Sequence, residues 1–178
     1  NGTLAEPVAV EMESFSVKAN DFAGTFSLSA ETISMNLQEG TSAQVDVTLA
    51  NAFSIAGVQA DIVLPENLIV EEIIKGARVP ENYNPKPSSL ETSGTVTLSS
   101  LIVEDFEGND GVVFSLKLKA IGEVKGLLVV KNMIATEKSG ATAFEIDGEE
   151  TVDVDFFYVY YNVNIAENVE NGTVTADK

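Results

Sequence analysis

The stretch Glu104-Asp105-Phe106-Glu107-Gly108-Asn109-Asp110-Gly111 gathers hard oxygen donors in a small space. Asp105, Glu107 and Asn109 stand at alternate positions, with Asp110 adjacent, so their side-chain oxygens can converge on one ion. Ca2+ takes roughly six to eight such oxygens from a flexible loop. These residues are therefore the candidate metal site, and Ca2+ is the one cofactor the sequence suggests. An EF-hand does not fit, because Gly would be needed at Asp110 and Glu at Leu116. The alternative is a solvated hairpin loop. A second candidate is Tyr83, flanked by Asn82 and Asn84 and held among Pro80, Pro85 and Pro87. Prolines reduce the entropy a loop loses on binding, and asparagines hydrogen-bond to peptide or to sugar hydroxyls. Asn82, Tyr83 and Asn84 are thus expected to form an exposed contact. The alternative folds the ring back over the edge of the domain.

Other chemistries lack their residues. The 178-residue chain has no Cys, His or Trp. That removes thiol nucleophiles, zinc–thiolate sites and disulfides, and with them the commonest general base. Carboxylate pairs can hydrolyse glycosides, but no pair stands out, and Glu71-Glu72 and Gly148-Glu149-Glu150 read as solvated charge. The chain is read as a non-enzyme. With 28 acidic against 10 basic residues the net charge is −18, which repels nucleic-acid backbones and anionic membranes. No apolar run approaches the ~20 residues of a membrane span. The N-terminus shows no signal-peptide pattern, as expected of a processed or excised module.

Strict alternation names the elements that must carry these residues. Val45-Asp46-Val47-Thr48-Leu49 and Val58 to Leu64 put every second side chain on one face, as half-buried strands require. Phe114 to Ala120 and Val152 to Phe156 repeat the beat. Further strands are expected at Val8–Met12, Ser14–Val17, Phe22–Leu28, Ile33–Leu37, Leu68–Ile74, Gly94–Val103, Leu127–Lys131 and Ala143–Ile146. Turns are expected at Ala19-Asn20-Asp21, Pro65-Glu66-Asn67, Lys138-Ser139-Gly140 and Asp147-Gly148. The prolines exclude an inner strand from residues 77–93. No window has helical period, so the chain is an all-β antiparallel sandwich. Gln59, Asp61, Ser99 and Ser100 fall on outward sheet faces.

The tail differs. Phe156, Phe157, Tyr158, Tyr160 and Tyr161 crowd six positions, and alternation places Phe156, Tyr158 and Tyr160 on one face. Asn171-Gly172 is a hairpin signal, and Glu170 to Lys178 resembles a short repeat of large bacterial surface proteins. The organisation read from this is N-terminal strands over 1–30, a sandwich over 31–156, and a connector or the start of another module over 157–178. A last edge strand of the same sandwich is the alternative for the tail.

Several segments resemble cohesin modules. Glu39-Gly40 followed by Val45 and Val47 and then by Ile55-Ala56-Gly57-Val58-Gln59-Ala60-Asp61-Ile62 is similar to their opening. Leu64-Pro65-Glu66-Asn67-Leu68-Ile69-Val70 looks like their following corner, with Leu64-Pro65 in place of the usual tyrosine–aspartate. Gly94 to Leu98 and Asn109 to Leu118 resemble a later strand pair. The resemblance implies a jelly roll of about nine strands and a secreted, surface-displayed bacterial module. It also implies that the sheet face bearing Gln59 and Asp61 contacts a dockerin-like protein. Three functions follow as expectations: a monomeric protein-interaction module, a carbohydrate-binding module, or a structural spacer of an adhesin.

Overall fold

The computed structural model describes residues 24–138 and 143–161. The strands expected at Val8–Met12 and Ser14–Val17 and the turn at Ala19-Asn20-Asp21 lie outside the described residues. So do Ser139 and Gly140 of the expected turn, and everything after Tyr161. Among the described residues ten strands form two sheets: β1 (Gly24–Leu28), β2 (Thr32–Asn36), β3 (Ser42–Asn51), β4 (Gly57–Val63), β5 (Leu68–Lys75), β6 (Asn84–Lys86), β7 (Gly94–Ser99), β8 (Val112–Ala120), β9 (Val124–Thr136) and β10 (Ala143–Phe157). One sheet has the order β1-β3-β8-β5 and the other β2-β10-β9-β4-β7-β6. All pairings are antiparallel except β2 with β10.

Alternation builds the core as expected. Val45, Val47 and Leu49 of β3 point inward, as do Val58, Ala60 and Ile62 of β4 from the opposite sheet. Val152, Val154 and Phe156 of β10 complete that layer, each such side chain contributing roughly 1.5–3 kcal/mol by leaving water. The chain changes sheet at Ser29-Ala30-Glu31. There the Ser29 amide donates to Asp46 O at 3.0 Å and the Asp153 amide donates to Glu31 O at 2.9 Å. β1 therefore belongs to the four-stranded sheet and β2 to the six-stranded one, closing the sandwich edge.

Three expectations need correcting. Asp147-Gly148 is not a turn: β10 runs straight through it, with a bulge between Ile146 and Glu149. Gly148 has φ +108°, a value open to glycine, and this lets the extra residues bow out without ending the strand. The strand expected to reach Val103 ends at Ser99. The tail aromatics do not share a face, because β10 stops at Phe157. Phe156 is buried in the core, whereas Tyr158 and Tyr160 are exposed with ring centroids 6.2 Å apart. In the proline-rich stretch a three-residue strand, β6, does form, but at the sheet edge, where proline is tolerated.

Candidate functional site: the outer face of the six-stranded sheet

Tyr83 is not an exposed contact. Its side chain is completely buried, its ring edge-on to Phe106 with centroids 5.5 Å apart. Its hydroxyl lies 2.7 Å from Ala56 O and 2.9 Å from Glu104 O, and accepts from the Glu104 amide at 3.1 Å. The prolines lay residues 77–93 across the rim of the sandwich. Burial of a phenol then requires polar partners, and backbone groups supply them. Its neighbours also hold backbone. Asn84 pairs with Ser99 across β6 and β7, and the Asn82 side-chain amide donates to Ile102 O at 2.7 Å.

These three residues therefore fasten positions 99, 102 and 104, and what they present between those points is Leu101-Ile102-Val103. Leu101 is fully exposed, Ile102 is 68% exposed and Val103 40%. Three consecutive exposed apolar side chains on an anchored loop are rare unless something covers them. The sequence signal was there: Leu101-Ile102-Val103 breaks the alternation that Val96 and Leu98 establish.

The loop borders a groove of about 270 Å³ on the outer face of β4, β7 and β9, lined among others by Gln59, Thr97, Ser99, Val103, Ile134 and Thr136. Gln59 is thus placed in the groove. Asp61, two residues along the same face, accepts from Thr95 Oγ1 at 2.6 Å and from Asn132 Nδ2 at 2.8 Å. The bond from Thr95, then the one from Asn132, and the nearby Lys131 charge hold the Asp61 carboxyl below its ordinary pKa. Asn132 takes the left-handed conformation, φ +51°, beside the break in register between β4 and β9. Asp61 therefore pins an irregularity in the middle of the face.

The proposed metal loop is organised by an arginine. Arg78, buried, donates through Nη1 to Leu49 O at 2.6 Å and through Nε to Glu107 O at 3.1 Å. Its Nη2 donates to Gly108 O at 2.6 Å and to Asn51 Oδ1 at 2.9 Å. Burial lowers its pKa and the Asp110 charge opposes that shift, yet a guanidinium stays protonated at any ordinary pH. Asp105 sits 3.9 Å from Lys138 Nζ, and Asn109 O accepts from the Asn51 amide at 2.8 Å. Among the described residues no group of three or more acidic side chains is arranged to hold a metal. Asp105, Glu107, Asn109 and Asp110 do not fit a calcium site: two loop carbonyls are committed to Arg78, and its fixed positive charge repels a second cation.

The comparisons with known proteins agree with this architecture. No family model matches the chain and no curated protein sequence matches it. Solved cohesin structures do. The cohesin module of a family 33 glycoside hydrolase from Clostridium perfringens superposes with a TM-score of 0.54 at 11% identity, covering 76% of this chain and 99% of that one. A type I cohesin–dockerin complex from Clostridium thermocellum gives 0.53 at 14% identity, over 79% of this chain and 99% of that one. The third ScaB cohesin of R. flavefaciens, solved with a group 1 dockerin, gives 0.52 at 16% identity, over 77% and 98%. The fold is a cohesin-like jelly-roll sandwich.

Proposed function

We propose that this chain is a non-catalytic protein-interaction module of a secreted or cell-surface bacterial protein, and that it receives a dockerin-like partner on the outer face of β9-β4-β7-β6. The observation that carries the reading is the anchored loop Leu101-Ile102-Val103, exposed beside the groove that contains Gln59. An interface core wants apolar side chains on a preorganised support with a polar rim. Tyr83, Asn82 and Asn84 provide the support, and Gln59, Asp61 and Thr97 the rim. Two of the structures it resembles are cohesins in complex with dockerins, which makes that class of partner the first to try. Aromatic rings lined up in a groove, Tyr83 among them, would favour the glycan-binding alternative, and the Tyr83 ring is buried.

Isothermal titration against a panel of dockerin modules, alongside a glycan array, tests the reading. Saturable binding to a dockerin, weakened by the paired change Leu101→Asp/Ile102→Asp, is expected. Glycan binding with no protein partner would overturn it.

A further inference from the structure

One position on the groove face carries no side chain. Val58, Ala60 and Ile62 point into the core, so alternation turns Gly57, Gln59 and Asp61 to the outer face of β4. Gly57 pairs with Thr136 of β9. A Cβ on Gly57 would lie 2.5 Å from Thr136 Oγ1 and 3.4 Å from Leu98 O. Glycine therefore lets the Thr136 hydroxyl lie down on the sheet, and the floor of the groove drops there. The backbone beneath is fixed by three bonds. The Ala56 amide donates to Thr136 O at 2.7 Å, Ala56 O accepts from the Tyr83 hydroxyl at 2.7 Å, and Ile55 O accepts from the Phe106 amide at 2.8 Å. The depression is thus formed before any partner arrives, which lowers the ordering cost of binding.

The walls define what enters. Val103 on the anchored loop and Ile134 on β9 are branched aliphatic side chains lining the same space, and Gln59, Thr97, Ser99 and Ser100 add neutral groups. The Ser100 hydroxyl already accepts from the Ile102 amide at 3.3 Å. The charged lining residues, Glu137 and Lys138, have opposite signs and follow the end of β9, and Lys138 lies 3.9 Å from Asp105. A charged occupant would lose hydration there without meeting an unopposed counter-charge. An aliphatic one covers carbon of Val103, Ile134 and Thr136 and needs no hydrogen bond. At about 270 Å³ the groove is smaller than the roughly 300–1,000 Å³ of small-molecule sites, and suits one or two side chains. We propose that the depression over Gly57 and Thr136 receives a branched aliphatic side chain (Leu, Ile or Val) of the protein partner, and that these two residues set the size admitted. This rests on the protein-interaction reading above and names the side-chain class that the partner presents.

Two variants move the floor in opposite directions. Thr136→Ala removes the hydroxyl and deepens the depression, whereas Gly57→Ala pushes Thr136 outward and fills it. The N-acetyl amides of valine, leucine, phenylalanine, lysine and glutamate are titrated into the native chain and both variants and followed by amide-resolved NMR. On the native chain the leucine amide should shift the Gly57 and Ile134 signals saturably, and the lysine and glutamate amides should not. Thr136→Ala should move the preference toward phenylalanine and Gly57→Ala toward valine. Each change should be about threefold or more, short of the roughly tenfold or greater worth of a methylene in a closed pocket. A simple loss of stability would not reorder the preference. Should Gly57→Ala fold poorly by circular dichroism, Thr136→Ala carries the test. Equal shifts with all the amides, no shift with leucine, or an order unchanged by the variants would overturn the proposal. The dockerin panel separates the two readings. Dockerin binding that neither variant alters, with no leucine response, removes the depression and keeps the partner. A leucine response with no dockerin bound keeps the depression and removes that class of partner.

Discussion

The Tyr83 hydroxyl stands 2.9 Å from the carbonyl oxygen of Glu104 and 3.1 Å from its amide nitrogen, so one phenol clamps both backbone polar groups at the end of the apolar loop. Removing that oxygen leaves buried or half-buried groups without their partner. Tyr83→Phe should cost about 1–3 kcal/mol of stability, read by thermal or urea denaturation. It should also speed amide exchange at Glu104 well beyond that seen in β3 or β8. A variant as stable as the native chain, with Glu104 still protected, would show that the hydroxyl is dispensable.

Arg78 should matter more. Its guanidinium satisfies oxygens of Leu49, Asn51, Glu107 and Gly108, and Arg78→Met would strand them near the rim. A loss of roughly 3 kcal/mol or more is expected. Arg78→Lys should recover little, because an ammonium cannot reproduce the planar fork. Millimolar Ca2+ or EDTA should leave the melting temperature of the native chain unchanged. A clear upward shift with Ca2+ would mean that a folded-state metal site exists after all.

Gly76 follows β5 and positions Arg78. Its amide donates to Val113 O at 3.0 Å, and a Cβ there would run into the backbone carbonyl of Val112. Gly76→Ala should therefore destabilise by about 1–3 kcal/mol, with both β5 and the loop around residue 107 losing protection from exchange. An unchanged melting temperature would contradict this packing.

The Asp61 carboxyl is held below its ordinary value of 3.8 by Thr95, Asn132 and Lys131. A depressed folded-state pKa adds stability that is fully present above the unfolded value and is lost as pH falls through the folded one. Asp61→Asn should thus be slightly less stable than the native chain at neutral pH, and the gap should close as pH drops below 3.8. Asp61 is only half-buried, so the effect is small. A gap that stays constant with pH would show that its charge plays no part.

The sandwich was legible because period-two alternation is a local property: the inward residues of β3, β4 and β10 follow from their own strands. What the sequence concealed depends on contacts across the chain. Asp147-Gly148 has the composition of a turn, but pairing on both sides with β9 turns it into a bulge. Tyr83 looks like an exposed ring among prolines and asparagines, yet its hydroxyl meets Ala56 and Glu104, each more than twenty residues away. The 104–111 loop reads as a cation site, and a cation does organise it, but Arg78 supplies that charge from the far end of the proline-rich stretch. The Leu101-Ile102-Val103 run was visible as a break in rhythm, while its exposure follows only from where β7 ends.

The most direct measurement compares native chain and the Leu101→Asp/Ile102→Asp variant against the strongest dockerin-panel binder, by titration calorimetry and thermal denaturation together. Both side chains are exposed, so stability should change by no more than about 0.5 kcal/mol. Binding should weaken by at least about thirtyfold, as for residues at the centre of an interface. Equal affinity in the two proteins, with stability unchanged, would contradict the claim that this anchored loop is the contact surface.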